Sequence, residues 1–367
     1  MTLQHADFPS GSSGIWGPDA GGVANMDDGV YAYVRNAGDV FSGGCIFVED
    51  PDPNVTGNVL RVRQVTNNNY SEHLRYVLSS GQNVAGMAAR VYFPSLPGAN
   101  VYTPQIFNFN DGGNNRQVAL TLDSTGACRV RFDMNDTEEQ YATPGPVFVA
   151  GTWHHIEMKV DFTAGDIEVR VEGVPVIELT GKDIGTGPCA QVAFGNQNGV
   201  GQIQSPQWIF YKDFVIWDGQ GSENNDFFGN VQVYMLDLVS DIVMPWTPST
   251  GTTGWNLLDE SPANDADYIS ADDTPPAACQ FGLSDLPEDV TSIRGIKTFI
   301  RARKTDGGDG NLQVSMNSDG TDGNGNDRPI TTIYTYWTDV FPLDPATDLP
   351  WTRFAVNEAS IKVSRTL

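Results

Sequence analysis

Few side chains in this sequence are of a type and spacing that could do chemistry. His154 and His155 are adjacent and directly precede a run that alternates apolar and charged residues from Ile156 to Phe162. Neighbours on a strand point to opposite faces, so the two rings do not readily share one metal. Trp153 beside them is expected to anchor a core. No G-x-S-x-G elbow occurs, which leaves a serine-hydrolase triad without support. The acid cluster Glu49-Asp50-Pro51-Asp52 offers carboxylates, and glycoside hydrolysis needs two of them at a defined separation. Pro51 breaks strand pairing and puts the cluster in a turn. Asp322-Gly323-Asn324-Gly325-Asn326-Asp327 imitates the start of an EF-hand loop. Its sixth position is Asp327 rather than glycine and its twelfth is Ile333 rather than glutamate. A hairpin turn is the expectation there, with a structural calcium as the minor alternative; no other cofactor is implied. Cys45, Cys128, Cys189 and Cys279 form no CxxC pair, so they read as small buried apolar residues.

The elements that would position these residues are strands. The chain has 367 residues, with 39 glycines and 22 prolines, a turn-rich composition that favours sheet over helix. Period-two runs bounded by Gly, Asn, Asp and Pro recur around Leu60–Arg63, Gln117–Leu122, Cys128–Phe132, Ile156–Phe162 and Asp166–Val171. The fold class expected is all-β, with two antiparallel β-sandwich (jelly-roll) domains in series. Gly219 to Asp226 is polar and glycine-bearing and reads as the linker. It divides a first domain, 1–220, from a second, 226–367, which a strand at Val231–Leu236 opens. Residues 1–40 either complete the first sandwich or serve as a docking arm. In the second domain strands are expected at Ser292–Arg303, Asn311–Met316 and Ile330–Val340, and one short helix at Thr352–Ala359. The basic run Arg294, Lys297, Arg301, Arg303 and Lys304 puts Lys297, Arg301 and Arg303 on one face, expected to make salt bridges within or between subunits.

Acids outnumber bases 46 to 21, a net charge of -25. That charge repels phosphates and anionic lipid, so nucleic acid and membrane surfaces are excluded as expected partners. No apolar run is long enough to span a bilayer. Met1 to Asp7 has no basic or apolar leader pattern, so synthesis in the cytoplasm is expected.

Two resemblances follow. Residues 40–218 resemble the laminin G-like, concanavalin A-like jelly roll. The carriers are Gly151-Thr152-Trp153-His154-His155-Ile156-Glu157-Met158, the hairpin ending Val174-Pro175-Val176-Ile177, and Phe214-Val215-Ile216-Trp217. Residues 226–363 resemble a β-sandwich module of tailed-bacteriophage virion proteins. Its carriers include Asp226-Phe227-Phe228-Gly229-Asn230-Val231, Trp246-Thr247-Pro248-Ser249-Thr250-Gly251, Asp285-Leu286-Pro287 and Pro350-Trp351-Thr352. The resemblance implies a non-enzymatic structural protein on the surface of a phage particle: tail fibre, spike, minor tail protein or head decoration. The expected partners are other virion proteins and a host-surface glycan. A homo-oligomer is expected, with a trimer favoured, located in the virion.

The alternative is a tail-associated polysaccharide lyase or glycosidase on the same fold. Ser71-Glu72-His73-Leu74-Arg75, Gln105-Ile106-Phe107 and Tyr211-Lys212 faintly resemble the R-S-E-L-R, Q-I-H and Y-x-K motifs of alginate-type lyases. Phe107 stands in place of that family's catalytic histidine, and a phenyl ring neither takes nor gives a proton. A binding groove is therefore favoured over a catalytic one. Its candidates are Tyr70, Arg75, Gln105 and Tyr211, on the reasoning that rings stack on sugars while guanidinium and amide groups bond hydroxyls.

Overall fold

The computed structural model describes residues 3–7, 23–25, 31–35, 46–49, 51–52, 58–64, 72–98, 104–113, 115–132, 139–142, 147–185, 187–195, 207–259, 264–271 and 278–366. The chain is all-β, and it divides into two compact units with the boundary between Val233 and Tyr234. The boundary thus falls later than the expected linker. Asp226 to Val233 belongs to the first unit, and no strand forms over Val231–Leu236.

In the first unit the strands are β1 (Leu3–Asp7), β2 (Val23–Asn25), β3 (Tyr31–Arg35), β4 (Ile46–Glu49), β5 (Asn58–Gln64), β6 (Glu72–Gln82), β7 (Val84–Tyr92) and β8 (Gln105–Asn110). They continue as β9 (Arg116–Leu122), β10 (Cys128–Phe132), β11 (Glu139–Ala142), β12 (Trp153–Asp161), β13 (Asp166–Val171), β14 (Val174–Leu179), β15 (Cys189–Gly195) and β16 (Gln207–Asp218). One sheet runs β14-β13-β12-β7-β16-β5-β4, with β1 also on β16; the other runs β11-β10-β9-β8-β15-β6-β3-β2. The pairings are antiparallel. The described strands of residues 1–40 complete both sheets: β1 lies on β16, while β2 and β3 extend the edge beside β6.

Alternation explains how the two sheets pack. On β13, Ile167, Val169 and Val171 are buried while Asp166, Glu168 and Arg170 are half-buried. The inward rows join into one apolar core that includes Leu74, Met87, Phe107, Phe109, Leu120, Ile156, Phe194 and Phe214. Each such side chain contributes about 1.5–3 kcal/mol by leaving water. His154 turns inward, its ring 5.0 Å from Phe148, and its Nε2 accepts from the Val149 amide at 3.0 Å. His155 turns outward, as adjacency on a strand requires. Trp153 is not the core anchor expected of it. It faces outward and half-buried, 5.4 Å from Tyr92, with Lys212 over its ring.

Residues 226–233 form a strap across the outer face of the β7–β12–β16 sheet. Glu157, buried on β12, accepts the Phe228 amide at 2.7 Å and the Gly229 amide at 3.1 Å. Phe228 packs 5.2 Å from the Trp217 ring. Lys159 holds Asp226 at 2.8 Å, Arg90 bonds Asn230, and the buried Asp213 accepts the Val233 amide. Asp213 sits at a bulge of β16 with φ of 56°, the left-handed region. Trp217 fits there because Gly86 faces it: a Cβ at Gly86 would overlap the indole.

The second unit contains β17 (Leu238–Val243), β18 (Thr247–Pro248), β19 (Ile269–Ser270), β20 (Cys279–Leu283), β21 (Ile296–Ala302), β22 (Asn311–Ser318), β23 (Thr321–Asn324), β24 (Arg328–Pro329), β25 (Thr335–Phe341), β26 (Leu343–Asp344), β27 (Leu349–Pro350), α1 (Arg353–Asn357) and β28 (Ser360–Thr366). The main sheet runs β17-β20-β28-β22-β23, and β21 pairs with β25 separately. Trp351 anchors one core cluster with Met316, Phe341 and Val356, its indole N–H bonding the Phe341 carbonyl at 3.0 Å. Thr352 caps α1, its hydroxyl accepting the Ala355 amide. The EF-hand-like run forms a hairpin arm: Asp322 pairs with Lys362 and Asn317, and Asp327 accepts from Asn311 and Thr366.

Candidate functional site

The outer face of the second sheet is polar. Cross-strand register defines one row as Arg75 on β6, Ala193 on β15, Asn108 on β8, Ala119 on β9 and Arg131 on β10. A parallel row holds Val77, Gln191 and Asn110. Directly opposed residues share a face, so these side chains all point away from the core that Leu74, Phe194, Phe107 and Val118 fill. A bulge at Ile106 resets β8. Gln105 then opposes Thr121 and joins the same outer face, although its number has the parity of the core residue Phe107.

The face has a floor and a rim. Asn108 (0% exposed), Gln105 (1%) and Gln117 form the floor with Ala193 and Ala119, while Arg75 and Gln191 stand half-buried at the rim. Asn108 donates to the Gly195 carbonyl at 2.6 Å, and Gln117 donates to the Gly187 carbonyl at 2.9 Å. Each then holds its own amide oxygen buried and without a partner among the described residues. Burying an acceptor this way costs about 1–3 kcal/mol. Burial also lowers the pKa of the Arg75 guanidinium. Asp123 is engaged by Arg129, Thr125 and the Ala127 amide. Burial raises its pKa, but those hydrogen bonds outweigh burial and bring it below the usual carboxylate range. The groups that reach solvent on this face are at its rim, where the half-buried Arg75 and Gln191 can bond hydroxyls.

The sequence candidates are dispersed by the fold. Arg75 and Gln105 lie on the same outer face. Tyr211 does not: it lies on β16 in the other sheet, 0% exposed, 5.9 Å from the Phe194 and Phe214 rings. Its hydroxyl donates to the Ile106 carbonyl at 3.1 Å, across the core and at the bulge. It is a strut between sheets and presents nothing to solvent. Tyr70 lies outside the described residues. Phe107 points into the core, 5.6 Å from Phe194, so that position lacks access to the face as well as an imidazole. His73, an additional residue relative to the R-S-E-L-R motif, faces outward, opposite Gly195. Asn108, Gln117, Gln191 and Arg131 were not anticipated. Their alternation with apolar neighbours was visible, but the neighbours of β8 and β15 come from distant parts of the chain.

Cys128, Cys189 and Cys279 are buried thiols, and Cys45 lies outside the described residues. Burial pushes the Cys189 thiol up to about 12 and that of Cys279 to about 11, so neither is a ready nucleophile. No group of three or more His, Cys, Asp or Glu residues able to hold a metal occurs among the described residues.

This geometry defines the first unit as a two-sheet antiparallel jelly roll with a polar outer face. No family model matches the chain, and no curated protein matches it. Among solved structures it is similar to the cellulose-induced protein Cip1, at 12% identity and a TM-score of 0.38, covering 50% of this chain and 90% of that one. It is similar to a sialidase at 10% identity and a TM-score of 0.37, covering 54% of this chain; it spans only 18% of the sialidase. It is also similar to alginate lyase AlgAT5 of polysaccharide lyase family 7, at 14% identity and a TM-score of 0.34, covering 46% of this chain and 81% of that one.

Proposed function

We propose that this chain is a non-enzymatic surface component of a tailed-phage virion whose first unit binds host-surface glycan. The glycan reading is carried by one observation: the outer face joining Arg75 and Gln191 at the rim to Asn108, Gln105 and Arg131 around an alanine floor. Binding is favoured over catalysis because Asp123, the carboxylate in the β9–β10 turn beside Arg129, is already held by Arg129, Thr125 and Ala127. General acid–base work needs a group poised to exchange its proton. The virion placement rests on the resemblance of the second unit, and a strongly acidic pair of sandwiches suits a particle surface, where like charge opposes aggregation.

A glycan panel tests the binding reading, with wild type against Arg75→Ala and Gln191→Ala. Hydrogen bonds from a charged group contribute about 1.5–3 kcal/mol, so Arg75→Ala is expected to weaken binding about tenfold or more. No binding across the panel, or binding indifferent to both variants, overturns it. Mass spectrometry of purified particles tests the placement, and absence of the chain from them refutes it. His73 on the same face favours one second reading, a lyase. Formation of an unsaturated sugar, lost in His73→Ala, would establish that reading instead.

A further inference from the structure

The second unit carries a face that neither the glycan reading nor the core employs. On the β21–β25 ribbon, alternation sends Thr298, Ile300 and Asp339 inward and Lys297, Phe299, Arg301, Tyr336 and Thr338 outward. Arg303 and Tyr334, just beyond the paired residues, extend the same row. The groups are locked to one another. The Arg301 guanidinium lies 4.9 Å from the Tyr334 ring and 4.8 Å from Tyr336. Arg303 lies 4.6 Å from the Tyr334 ring, and the Lys297 amine 4.2 Å from Phe299. Asp265 grips Arg301 with two bonds of 2.6 and 2.7 Å, which fixes the guanidinium plane. Phe299, in the middle, remains 38% exposed. Arginine, tyrosine and phenylalanine in a pre-ordered patch are the residues that dominate protein–protein interfaces.

Charge selects the occupant. Residues 234–367 hold 20 acids and nine bases, and three of those nine bases stand on this one face. The whole chain is net -25. We infer that this basic-aromatic face docks on an acidic surface of a second copy of the same chain. Two different surfaces then meet at each contact, which makes the interface head-to-tail, the type that forms a ring where its rotation closes and a filament where it does not. The inference stands independently of the glycan reading and gives the expected homo-oligomer a specific contact.

Sedimentation of the full chain tests it. Wild type is expected to be oligomeric at about 0.1 M salt and to dissociate toward monomer near 1 M, where the screening length falls from about 10 Å to 3 Å. Lys297→Glu combined with Arg303→Glu is expected to weaken association at least about tenfold. Phe299→Ala should do the same without changing charge. Both variants leave the Arg301–Asp265 grip in place, and an unchanged thermal transition confirms that each is folded. A wild type that is monomeric at every salt concentration overturns the inference. So does an oligomer that both folded variants leave intact.

Discussion

Replacing Glu157 by alanine should loosen the strap at residues 226–233 while leaving the rest of the first unit folded. Glu157 is fully buried on β12, and one of its oxygens accepts two backbone amides, from Phe228 and Gly229. A hydrogen bond to a charged group contributes about 1.5–3 kcal/mol. Two that share one oxygen contribute less than twice that. Without the carboxylate both amides must find water, which means lifting the strap. Lifting it exposes Phe228, now 5% exposed, and uncovers Trp217, now fully buried. Each ring resists exposure by about 1.5–3 kcal/mol. The loss is therefore expected at about 2–4 kcal/mol, taken by local opening of the strap more than by global unfolding. Glu157→Gln keeps an acceptor oxygen at the same place and should lose only about 1 kcal/mol. Two assays read this: urea unfolding followed by tryptophan fluorescence, and limited proteolysis mapped to the strap. A Glu157→Ala protein within about 0.5 kcal/mol of wild type, with no new cleavage there, would show that the strap is held by ring packing alone.

Tyr211→Phe removes the hydroxyl that donates to Ile106 and should cost about 1 kcal/mol in a thermal or urea melt; glycan binding should not change, because the ring faces the core. Altered binding without altered stability would contradict the strut assignment. Gly86→Ala drives a methyl into the Trp217 ring and should destabilise by about 1–3 kcal/mol or more, and a melt unchanged from wild type would contradict the close packing. Burial, and then the Arg90 cation, push His155 down to about 4, against about 6.5 in an unfolded chain. Between those values the unfolded state binds the proton and the native state does not, so stability falls as pH falls from about 6.5 to 4. Asp213, pushed up by burial, gives the opposite slope in its own window. The comparison is therefore His155→Gln against wild type, in which the difference between the two melts should shrink at low pH; a constant difference refutes the shift.

Much of the strand inventory was legible, because period-two alternation reports which strands have one buried face. Ile156 to Asp161, Asp166 to Val171 and Cys128 to Phe132 all became strands, and Asp166 to Val171 keeps strict alternation, whereas Glu157 and Arg131 are buried on the second face of theirs. The expected salt-bridging role of the basic face holds at Arg301, which grips Asp265, while Lys297 and Arg303 lie over aromatic rings. The domain boundary was misread for a physical reason. Gly219 to Asp226 is polar enough to be a linker, but Phe227 and Phe228 just after it are drawn onto Trp217, and Glu157, 71 residues before Phe228, receives the Phe228 and Gly229 amides. Local composition carries no record of so distant a partner.

By itself the sequence determined that this protein is built of antiparallel strands that alternate apolar and polar residues and that it is strongly acidic. Those properties depend on residue type and on spacing of two along the chain, and both are local. Only the tertiary structure decided which polar residues meet. Arg75 and Gln105 came together with Asn108 and Arg131 because β15, from 114 residues after Arg75, inserts between β6 and β8. Tyr211 was sent to the other sheet and into the core, and a single bulge at Ile106 turned Gln105 outward and Phe107 inward. Strand order and bulges are set by how side chains from remote segments pack, so a face assembled across strands exists only once the sheets have formed.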